Sequence, residues 1–397
     1  MKERIKKMRV AFCSNYLTHH QIPFCNAMYR TLGEDFKFIS TVVMDEERKS
    51  GGWDLSGQYP YEIKSYTDDY QYRKAIDIIN ESDIVIFGTD NFELIKERIN
   101  KNKIVCIFSE RIYKRGWWRV ISPRGIYNMV SKHTVNRNKN VYVLCSSGYT
   151  AGDFSLLGAY KNKCFKWGYF PEHKVYDDIN RVIKTKRADK IKILWCARFL
   201  EWKHPELAVG TLKRLVEDGE NVHLTMIGNG KLLPDIKTTV LKNGLEEYIT
   251  FIDCLTPNQV REYMEDSDIF LFTSDFNEGW GAVLNEAMNS GCAVVASHAI
   301  GAVPYLINDG VNGLIFKNKD VCDLYNKVKK LVCDDDFREV LGKNAYKTII
   351  NEWNSDVAAK RALVLFEAML NGKNLDIYNS GICSRDKFLS NYWYKEK

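Results

Sequence analysis

The sequence of 397 residues lacks the features that define several classes of protein. It contains only 8 prolines, which argues against a collagen-like or proline-rich disordered chain. Its longest apolar stretches, such as residues 268–274 and 291–297, are far shorter than the ~20 residues of a membrane-spanning helix. The charged amino terminus is not followed by the apolar segment of a secretory leader. We therefore expect a protein that neither spans a membrane nor is secreted.

Cysteine pairs are also absent from the sequence. The 11 cysteines include no Cys-x-x-Cys pair, and many stand singly in apolar runs, as Cys106, Cys145 and Cys292 do. A single thiol in such a run behaves as a small hydrophobic side chain. This usage indicates a reducing, cytoplasmic compartment and argues against a zinc site.

What the sequence does contain is a regular alternation of short apolar runs with segments of helical spacing. Strands and helices in alternation predict an α/β fold with doubly wound parallel sheets. The polar stretch 172–190 interrupts the alternation, so we place a domain boundary there. We predict a Rossmann-like domain over residues 1–180, a second one over residues 181–370, and a tail over residues 371–397 that could pack back on the first. Ligands of such sheets bind at the carboxyl ends of the strands, here on a cleft that the two domains face.

The strongest functional signal is the segment 277–291, which follows a predicted strand. Gly279 and Gly281 allow tight turning, and a helix starting near Gly281 would direct free N–H groups toward a phosphate-bearing ligand. Glu278 precedes this helix and Glu286 lies inside it, so the two carboxylates could reach different parts of one elongated ligand. The alternative is that Glu278 complements the helix dipole and Glu286 is a solvated surface charge.

Two further segments combine a strand, a turn and a helix. Arg198 and Lys203 follow the strand at residues 192–197, and two cations at a sheet edge fit a diphosphate, although an ordinary pair of surface charges fits as well. Gly228 and Gly230 follow the next strand, but a single Gly-x-Gly is a weak signal.

In this order and spacing, these segments resemble the carboxyl-terminal domain of family 4 retaining glycosyltransferases of the GT-B fold, of the type that builds bacterial surface polysaccharides. The resemblance covers about residues 190–370, and its most specific element is a pair of glutamates with seven residues between them. It implies that Glu278 contacts the transferred sugar and Glu286 the ribose of a nucleotide-sugar donor. It further implies that Arg198 and Lys203 hold the diphosphate.

The resemblance also implies which other residues bind the donor. These are Gly228, Asn229, Gly230, Asp253, Asn277, Gly279, Trp280 and Gly281. Asp253 stands near the expected base, where the family usually has a glycine, so the base stays open, with a UDP-sugar favoured over a GDP-sugar. The nucleotide sugar is a substrate, and we expect no cofactor.

No metal site is expected either. The Asp-x-Asp pair at residues 266–268 precedes a strand, at the wrong edge of the sheet for a ligand, so we predict a helix end and turn there. The acidic run 334–336 is predicted to cap a helix.

The first half departs from the family, which usually has a glycine-rich loop after its first strand. Here that loop carries His19 and His20, and a later strand ends in Glu110 and Arg111. A histidine or glutamate at the edge of a sheet could orient an acceptor hydroxyl, so these four residues are candidates for the acceptor side. His19 and His20 could equally be ordinary loop residues.

A local excess of positive charge marks the segment 111–139, within a chain of net charge +6. Its eight basic residues, with no acidic one among them, are Arg111, Lys114, Arg115, Arg119, Arg124, Lys132, Arg137 and Lys139. Because Trp117, Trp118 and other apolar residues are interleaved, the segment suits the surface of an anionic membrane. A nucleic-acid partner is not expected, since no motif of that kind accompanies the patch. A solvated helix face is the alternative.

Together with these observations, the resemblance implies a cytoplasmic, metal-independent retaining glycosyltransferase, peripheral on the inner face of the cell membrane. Its donor would be a nucleoside diphosphate-sugar and its acceptor a glycan or lipid-linked glycan. The alternatives are a nucleotide-sugar epimerase of the same fold, which needs no acceptor, and a noncatalytic subunit that binds sugar nucleotides.

Overall fold

The computed structural model describes residues 8–44, 59–114, 116, 121–186 and 190–394. The chain divides into two compact units. The first contains the described residues up to Glu172 together with Asn354–Ser390, and the second contains His173–Trp353 together with the residues from Asn391 onward.

The first unit is built on a parallel sheet. Its described strands are β1 (Val10–Ser14), β2 (Phe36–Ser40), β3 (Glu62–Lys64), β4 (Ile84–Gly88), β5 (Ile104–Ser109), β6 (Val141–Cys145) and β7 (Cys164–Lys166). Their order in the sheet is β3-β2-β1-β4-β5-β6-β7. The helices between them are α1 (Ile22–Leu32), α2 (Asp69–Glu81), α3 (Glu93–Asn100), α4 (Pro123–Lys132) and α5 (Thr150–Ser155). Strands such as β4 are continuous apolar runs because helices cover both faces of a parallel sheet.

The second unit repeats this plan. Its strands are β8 (Ile191–Cys196), β9 (Val222–Ile227), β10 (Ile249–Ile252), β11 (Ile269–Phe272), β12 (Ala293–Ser297) and β13 (Leu314–Phe316), in the order β10-β9-β8-β11-β12-β13. Its helices are α6 (Ile179–Thr185), α7 (Pro205–Glu217), α8 (Leu233–Lys242), α9 (Pro257–Asp266), α10 (Val283–Asn289), α11 (Val303–Leu306), α12 (Val321–Cys333) and α13 (Asp335–Asn351). The predicted doubly wound parallel sheets are therefore confirmed.

The last part of the chain returns to the first unit, which differs from the predicted domain bounds. Helix α14 (Ser355–Leu370) packs on α1, and Arg30 forms an ion pair with Asp356 at this contact. Further on, backbone hydrogen bonds of 2.8 Å join Lys166 of β7 to Cys383 and Ser384. The sequence pattern placed the boundary at residue 180 and residues 355–370 in the second domain. It could not show that α14 packs on the first unit, because the pattern of a helix does not reveal which element the helix packs against.

The final described residues pack on the second unit instead. The hydroxyl of Tyr394 donates to the carbonyl of Ile315 at 2.7 Å, and its ring stacks on His298 with centroids 5.5 Å apart. No helix within the described ranges is long and apolar enough to cross a membrane.

The acidic segments at residues 266–268 and 334–336 have the structural roles predicted from the sequence. Asp266 is the last residue of α9, and Asp268 accepts a hydrogen bond of 2.9 Å from the backbone N–H of Lys192 as the chain enters β11. Asp334 caps α13 by accepting from the backbone N–H of Phe337 at 2.9 Å. Both predictions, a helix end with a turn and a helix cap, are confirmed.

Each sheet has one point at which the strand order reverses, between β1 and β4 in the first and between β8 and β11 in the second. Loops on either side of such a point leave in opposite directions and open a crevice at the carboxyl edge of the sheet. Trp195 of β8 pairs with Leu271 of β11, so the loops after these two strands leave the sheet at the same level. One carries Arg198 and Lys203, and the other carries Glu278.

Candidate functional site

Arg198 leaves the sheet two residues after β8 ends, and it is exposed. Its backbone carbonyl accepts from Leu200, but among the described residues no hydrogen bond or ion pair of its guanidinium is found. A guanidinium offers five N–H donors in a planar fork that fits phosphate oxygens. Arg198 is therefore open to an anionic ligand at this edge of the sheet.

Lys203 is held firmly from the sheet below. The indole of Trp195 donates to the hydroxyl of Thr273 at 2.8 Å, and that hydroxyl donates to the carbonyl of Lys203 at 2.6 Å. The ammonium of Lys203 forms an ion pair with Glu278, and the two side chains are only 12% and 11% exposed. It also lies 4.2 Å from the centroid of the Trp202 ring. The structure thus brings together two residues that the sequence analysis assigned separately to diphosphate and sugar.

The turn that carries Glu278 is organised by Asp275. The backbone N–H of Asp275 donates to the carbonyl of Trp202 at 2.9 Å. Asn277 donates to one carboxylate oxygen of Asp275 through both its backbone N–H, at 2.9 Å, and its side-chain amide, at 2.8 Å. The backbone N–H of Glu278 donates to the carbonyl of Asp275 at 3.0 Å. Asn277, a predicted donor contact, therefore also has a structural role in the turn.

The helix after this turn begins later than predicted. It starts at Val283 and is seven residues long, whereas the sequence placed its start near Gly281. Gly281 has a φ of +90°, and a Cβ there would approach the ring of Phe272 to 2.5 Å. A glycine is thus required by the packing of the chain on itself. Gly279 is buried next to Glu278.

The Trp280 side chain lies in the core rather than at the surface. It is 1% exposed, and its indole N–H donates to Asn285 at 2.9 Å. Its ring packs against Tyr305 and Trp353, at centroid distances of 6.1 and 5.9 Å. The prediction that Trp280 binds a ligand is corrected for its side chain: a large aromatic next to two glycines anchors the turn to the core.

Glu286 is half-buried on α10, and no hydrogen bond of its carboxylate to the described residues is found. Burial raises the pKa of Glu286 to about 7, and the positive charge of Arg261 offsets part of that effect. The side chain is therefore not the solvated surface charge of the alternative interpretation. A desolvated carboxylate of this kind is suited to accept hydrogen bonds from ligand hydroxyls.

This burial gives a prediction for stability. Because the pKa of Glu286 is higher in the folded chain than its usual value near 4.5, the folded state binds more protons between these values. The free energy of unfolding should therefore fall as the pH rises from about 4.5 to about 7. Glu286→Gln lacks this titrating group, so its stability should not show this decrease. The Tm of the variant minus that of the parent, measured by calorimetry between pH 5 and 8, should therefore increase as the pH rises. The exposed Glu247→Gln is the control; a constant Tm difference for Glu286→Gln would contradict the prediction.

The glycines after β9 are explained by the backbone that lies next to them. Gly228 and Gly230 have φ values of +131° and +151°. A Cβ at Gly228 would lie 2.2 Å from the carbonyl oxygen of Ala197, and one at Gly230 would lie 2.6 Å from that of Phe199. Their role in this structure is to let the loops after β8 and β9 pack together.

Asn229 and Asp253 meet at the exposed ends of β9 and β10. The side-chain amide of Asn229 donates to Asp253 at 3.1 Å, and the backbone N–H of Cys254 donates to the same carboxylate oxygen at 2.7 Å. The hydrogen bond from Cys254, followed by that from Asn229, lowers the pKa of Asp253. The carboxylate is therefore ionised and fixed in orientation beside the turn.

The sequence analysis missed a cluster next to Lys203. His204 bridges two carboxylates, Glu206 at 2.6 Å and Asp275 at 3.3 Å, and Lys319 reaches Asp275 at 3.4 Å. Burial alone would lower the pKa of His204, but the hydrogen bonds that its ring donates to Asp275 and Glu206 outweigh burial and raise the pKa to about 9. The position of Asp275, directly after a buried strand at the carboxyl edge, was the signal in the sequence that could have revealed the cluster.

In the first unit, His19 and His20 lie in the loop after β1, beside the reversal of strand order. Their rings are in contact, with centroids 3.8 Å apart and planes inclined by 50°. Burial lowers the pKa of His19 to about 4 and, together with the neighbouring His19, lowers the pKa of His20 as well. Both imidazoles are therefore neutral at pH 7, the form that can accept a proton.

The other two acceptor-side candidates have different surroundings. Glu110 forms an ion pair with Lys114 at a half-buried position. Arg111 is 3% exposed, pairs with the buried Asp153 at 3.4 Å, and lies 4.7 Å from the ring centroid of Tyr149. Arg111 follows the end of β5 as predicted, but its assignment to the acceptor side is corrected for its side chain, because its charge belongs to a buried ion pair.

Part of the basic segment can be described. Arg115, Arg119, Trp117 and Trp118 lie outside the described residues. Helix α4 and the residues just before it, which follow this gap, leave several apolar side chains in solvent. Their exposed fractions are 78% for Ile121, 39% for Ile126, 71% for Tyr127 and 37% for Val130.

Comparison with known proteins concerns the second unit most directly. Residues 177–348 match the family model for glycosyl transferases group 1. An uncharacterized glycosyltransferase of Methanocaldococcus jannaschii is 28% identical over 193 residues, 48% of this chain and 49% of that protein. The amylovoran biosynthesis glycosyltransferase AmsK of Erwinia amylovora is 30% identical over 149 residues, 36% of each chain. The chain thus spans about half the length, or less, of these curated relatives.

Among solved structures, HepE of Anabaena in complex with UDP has a TM-score of 0.66 to this chain at 16% identity, covering 91% of this chain and 100% of that one. A likeness at this identity concerns the fold alone. The chain has the GT-B fold of two parallel-sheet α/β domains, as the sequence predicted.

Proposed function

We propose that this chain is a retaining, metal-independent glycosyltransferase of the hexosyltransferase class, acting in the cytoplasm in the synthesis of cell-surface polysaccharide. It would transfer a sugar from a nucleoside diphosphate to a glycan or lipid-linked glycan. The observation that carries the proposal is the Lys203–Glu278 pair beside the reversal of strand order, together with the exposed Arg198 and the half-buried Glu286 on the segments that follow the same two strands. The match of residues 177–348 to the glycosyl transferases group 1 model supports it.

The chemistry of the donor explains why these groups are needed. When the bond between sugar and diphosphate breaks, negative charge grows on the leaving phosphate and positive character on the sugar ring. Arg198 and Lys203 would stabilise the phosphate, since fixed donors act most strongly where charge develops. Glu278 would orient the hydroxyls of the sugar, and Glu286 would accept hydrogen bonds from the ribose. A UDP-sugar is the favoured donor because the HepE structures hold UDP and UDP-glucose.

The acceptor is assigned to the first unit. His19 and His20, neutral at pH 7 and placed beside the reversal of strand order, are the groups there that could accept a proton from an attacking hydroxyl. Glu110, paired with Lys114, would orient the acceptor.

A panel of UDP-, GDP- and ADP-sugars tests the proposal. Thermal unfolding with each nucleotide sugar in EDTA should show a raised Tm for one of them, because a ligand that binds the folded state stabilises it. The release of nucleoside diphosphate should then depend on an added glycan or lipid-linked acceptor and should also proceed in EDTA. Conversion of the donor without an acceptor would instead identify an epimerase, and binding without turnover a noncatalytic subunit. A requirement for Mn²⁺ or Mg²⁺ would contradict metal independence.

We further propose that α4 docks on the anionic inner face of the cell membrane. Tyr127 and Ile121 are exposed next to Arg124, which is also exposed, and apolar groups beside cations suit a surface of anionic lipid. Lipid-linked acceptors lie in that surface.

This docking predicts a loss of binding to vesicles. Arg124→Glu combined with Tyr127→Ser should weaken co-sedimentation with phosphatidylserine-containing vesicles by about tenfold, since each basic residue near such a surface contributes about 1 kcal/mol. The control pair, Arg73→Glu with Tyr70→Ser on α2, changes the same residue types on another exposed helix and should have no effect. Equal loss in both pairs, or in neither, would support a solvated helix face.

A further inference from the structure

Two residues on different loops adopt a backbone conformation that favours glycine, and both contact the same carboxylate. His204 has a φ of +50° and Lys319 a φ of +65°. The imidazole Nε2 of His204 lies 3.3 Å from Oδ2 of Asp275, and the ammonium of Lys319 lies 3.4 Å from the same oxygen. A non-glycine residue in this region costs about 1–3 kcal/mol and persists only where the surroundings enforce it. The unfavourable backbone conformations of His204 and Lys319 must therefore be offset by other interactions. The contact with Asp275 is one that both residues share.

The chemistry of His204 follows from its two partners. Nδ1 lies 2.6 Å from a carboxylate oxygen of Glu206, and Nε2 faces Asp275. Carboxylates only accept hydrogen bonds, so both ring nitrogens must carry hydrogen, and His204 is an imidazolium. Its side chain is 13% exposed, whereas that of Lys319 is 57% exposed. Since solvent screens the exposed pair, the contact from His204 is the stronger of the two.

Asp275 connects His204 to the turn that carries Glu278. Its other carboxylate oxygen accepts from the backbone and side chain of Asn277, and its carbonyl accepts from the backbone N–H of Glu278. His204 directly follows Lys203, the ion-pair partner of Glu278. The imidazolium thus ties the residue after Lys203 to the turn that ends at Glu278.

We propose that His204 is a positioning residue, which holds the turn at residues 275–278 so that Glu278 stays beside Lys203. Its effect on sugar transfer rests on the proposed function, whereas its effect on the turn does not. The charged groups that face His204 are Glu206 on its own helix, Asp275 on the loop after β11, and Lys319, which reaches Asp275 from the loop after β13.

Hydrogen exchange in the absence of any nucleotide tests the effect on the turn. His204→Gly removes the imidazole and also relieves the left-handed strain, so the fold is retained. The amides of Asn277 and Glu278 should exchange about tenfold faster in His204→Gly than in the parent, the size of one charge-assisted hydrogen bond. Lys319→Gly is the matched control, because it makes the same change at the exposed partner of Asp275, and its exchange should stay within about threefold of the parent. Unchanged exchange in His204→Gly would overturn the proposal.

The pH dependence gives a second readout. The pKa of His204 is raised from 6.5 to about 9, so the contact stabilises the folded state fully below about pH 6.5 and is lost as the pH rises through about 9. The Tm of the parent relative to that of His204→Gly should therefore fall between pH 8 and 10, whatever the difference at pH 7. A difference that does not change with pH would mean that the charge of His204 has no part in the contact.

Kinetics with the donor separate this inference from the proposed function. For His204→Gly we expect kcat to fall about tenfold and the donor KM to stay within about threefold, because a misplaced Glu278 impairs the reacting geometry more than the binding of the nucleotide. Faster exchange in a protein that binds no nucleotide sugar would leave the positioning role intact and refute the proposed function. Faster exchange with unaltered kcat would overturn the role of His204 in transfer.

Discussion

Arg198→Ala is expected to lower kcat for sugar transfer by roughly ten- to more than a hundredfold without lowering the Tm. The guanidinium is exposed, and none of the described residues is bonded to it, so the folded chain loses nothing when it is removed. In the transition state it would meet a phosphate whose negative charge is growing, so its loss should cost more in turnover than in donor binding. Steady-state kinetics with one donor and one acceptor, together with thermal unfolding, measure both effects.

Lys242→Ala is the control for this experiment. Lys242 is an exposed cation at the last residue of α8, at the end of that helix remote from the carboxyl edge of the sheet. Its removal should change neither kcat nor Tm. A folded and fully active Arg198→Ala would show that Arg198 is ordinary surface charge and that the diphosphate binds elsewhere.

The second large effect concerns the Lys203–Glu278 pair, for which we expect the double variant to recover stability but not activity. Lys203→Met leaves the carboxylate of Glu278 in a site that is only 11% exposed and without its cation, so the free energy of unfolding should fall by about 3 kcal/mol. The double variant, Lys203→Met with Glu278→Gln, no longer contains an unpaired charge and should recover most of that loss. Both variants should show kcat reduced by more than about a hundredfold, because each lacks groups that, under the proposed function, would contact the reacting part of the donor.

Denaturant unfolding of the parent, both single variants and the double variant gives the coupling energy of the pair. Lys192→Met with Asp266→Asn is the matched control, because it likewise removes a lysine and its paired carboxylate, here at a more exposed ion pair of 2.6 Å. A coupling under about 1 kcal/mol is expected there. Recovery of transfer in the Lys203 and Glu278 double variant would show that the pair is structural and that the catalytic groups are other residues.

Most strands of this chain could be predicted because each is a local apolar run, whereas β3 (Glu62–Lys64) contains a single apolar residue and has no such signal. Arg198 and Glu278 lie near the same edge of the sheet because the predicted strands before them are parallel, and this follows from the alternation alone. The Lys203–Glu278 ion pair could not be predicted, since 75 residues separate its members and the contact depends on which strands are neighbours.

Side-chain direction explains most of the remaining differences. Trp280 lies in a segment of glycine and polar residues, which is typical of an exposed loop, but its ring points into the core. Arg111 follows a strand as an edge residue would, and only the buried Asp153 explains why it turns inward. His204 precedes Pro205 in what reads as a helix start, and its left-handed backbone, which aims the ring at Asp275, has no signature in the sequence.

The return of the chain to its first unit affects the order in which the two units can fold during translation. The ribosome completes β1–β7 long before it reaches α14 and the segment at residues 381–386, which pair with α1 and β7. Residues His173–Trp353 are synthesised between these two parts of the first unit. They contain all the described strands of the second unit, so this unit can form its core before α14 has been made. We therefore expect the amino-terminal half to complete its packing last. A chain that stops before Ser355 would leave α1 and the edge strand β7 uncovered, and it would expose them to aggregation even though every residue of the candidate donor site had been made.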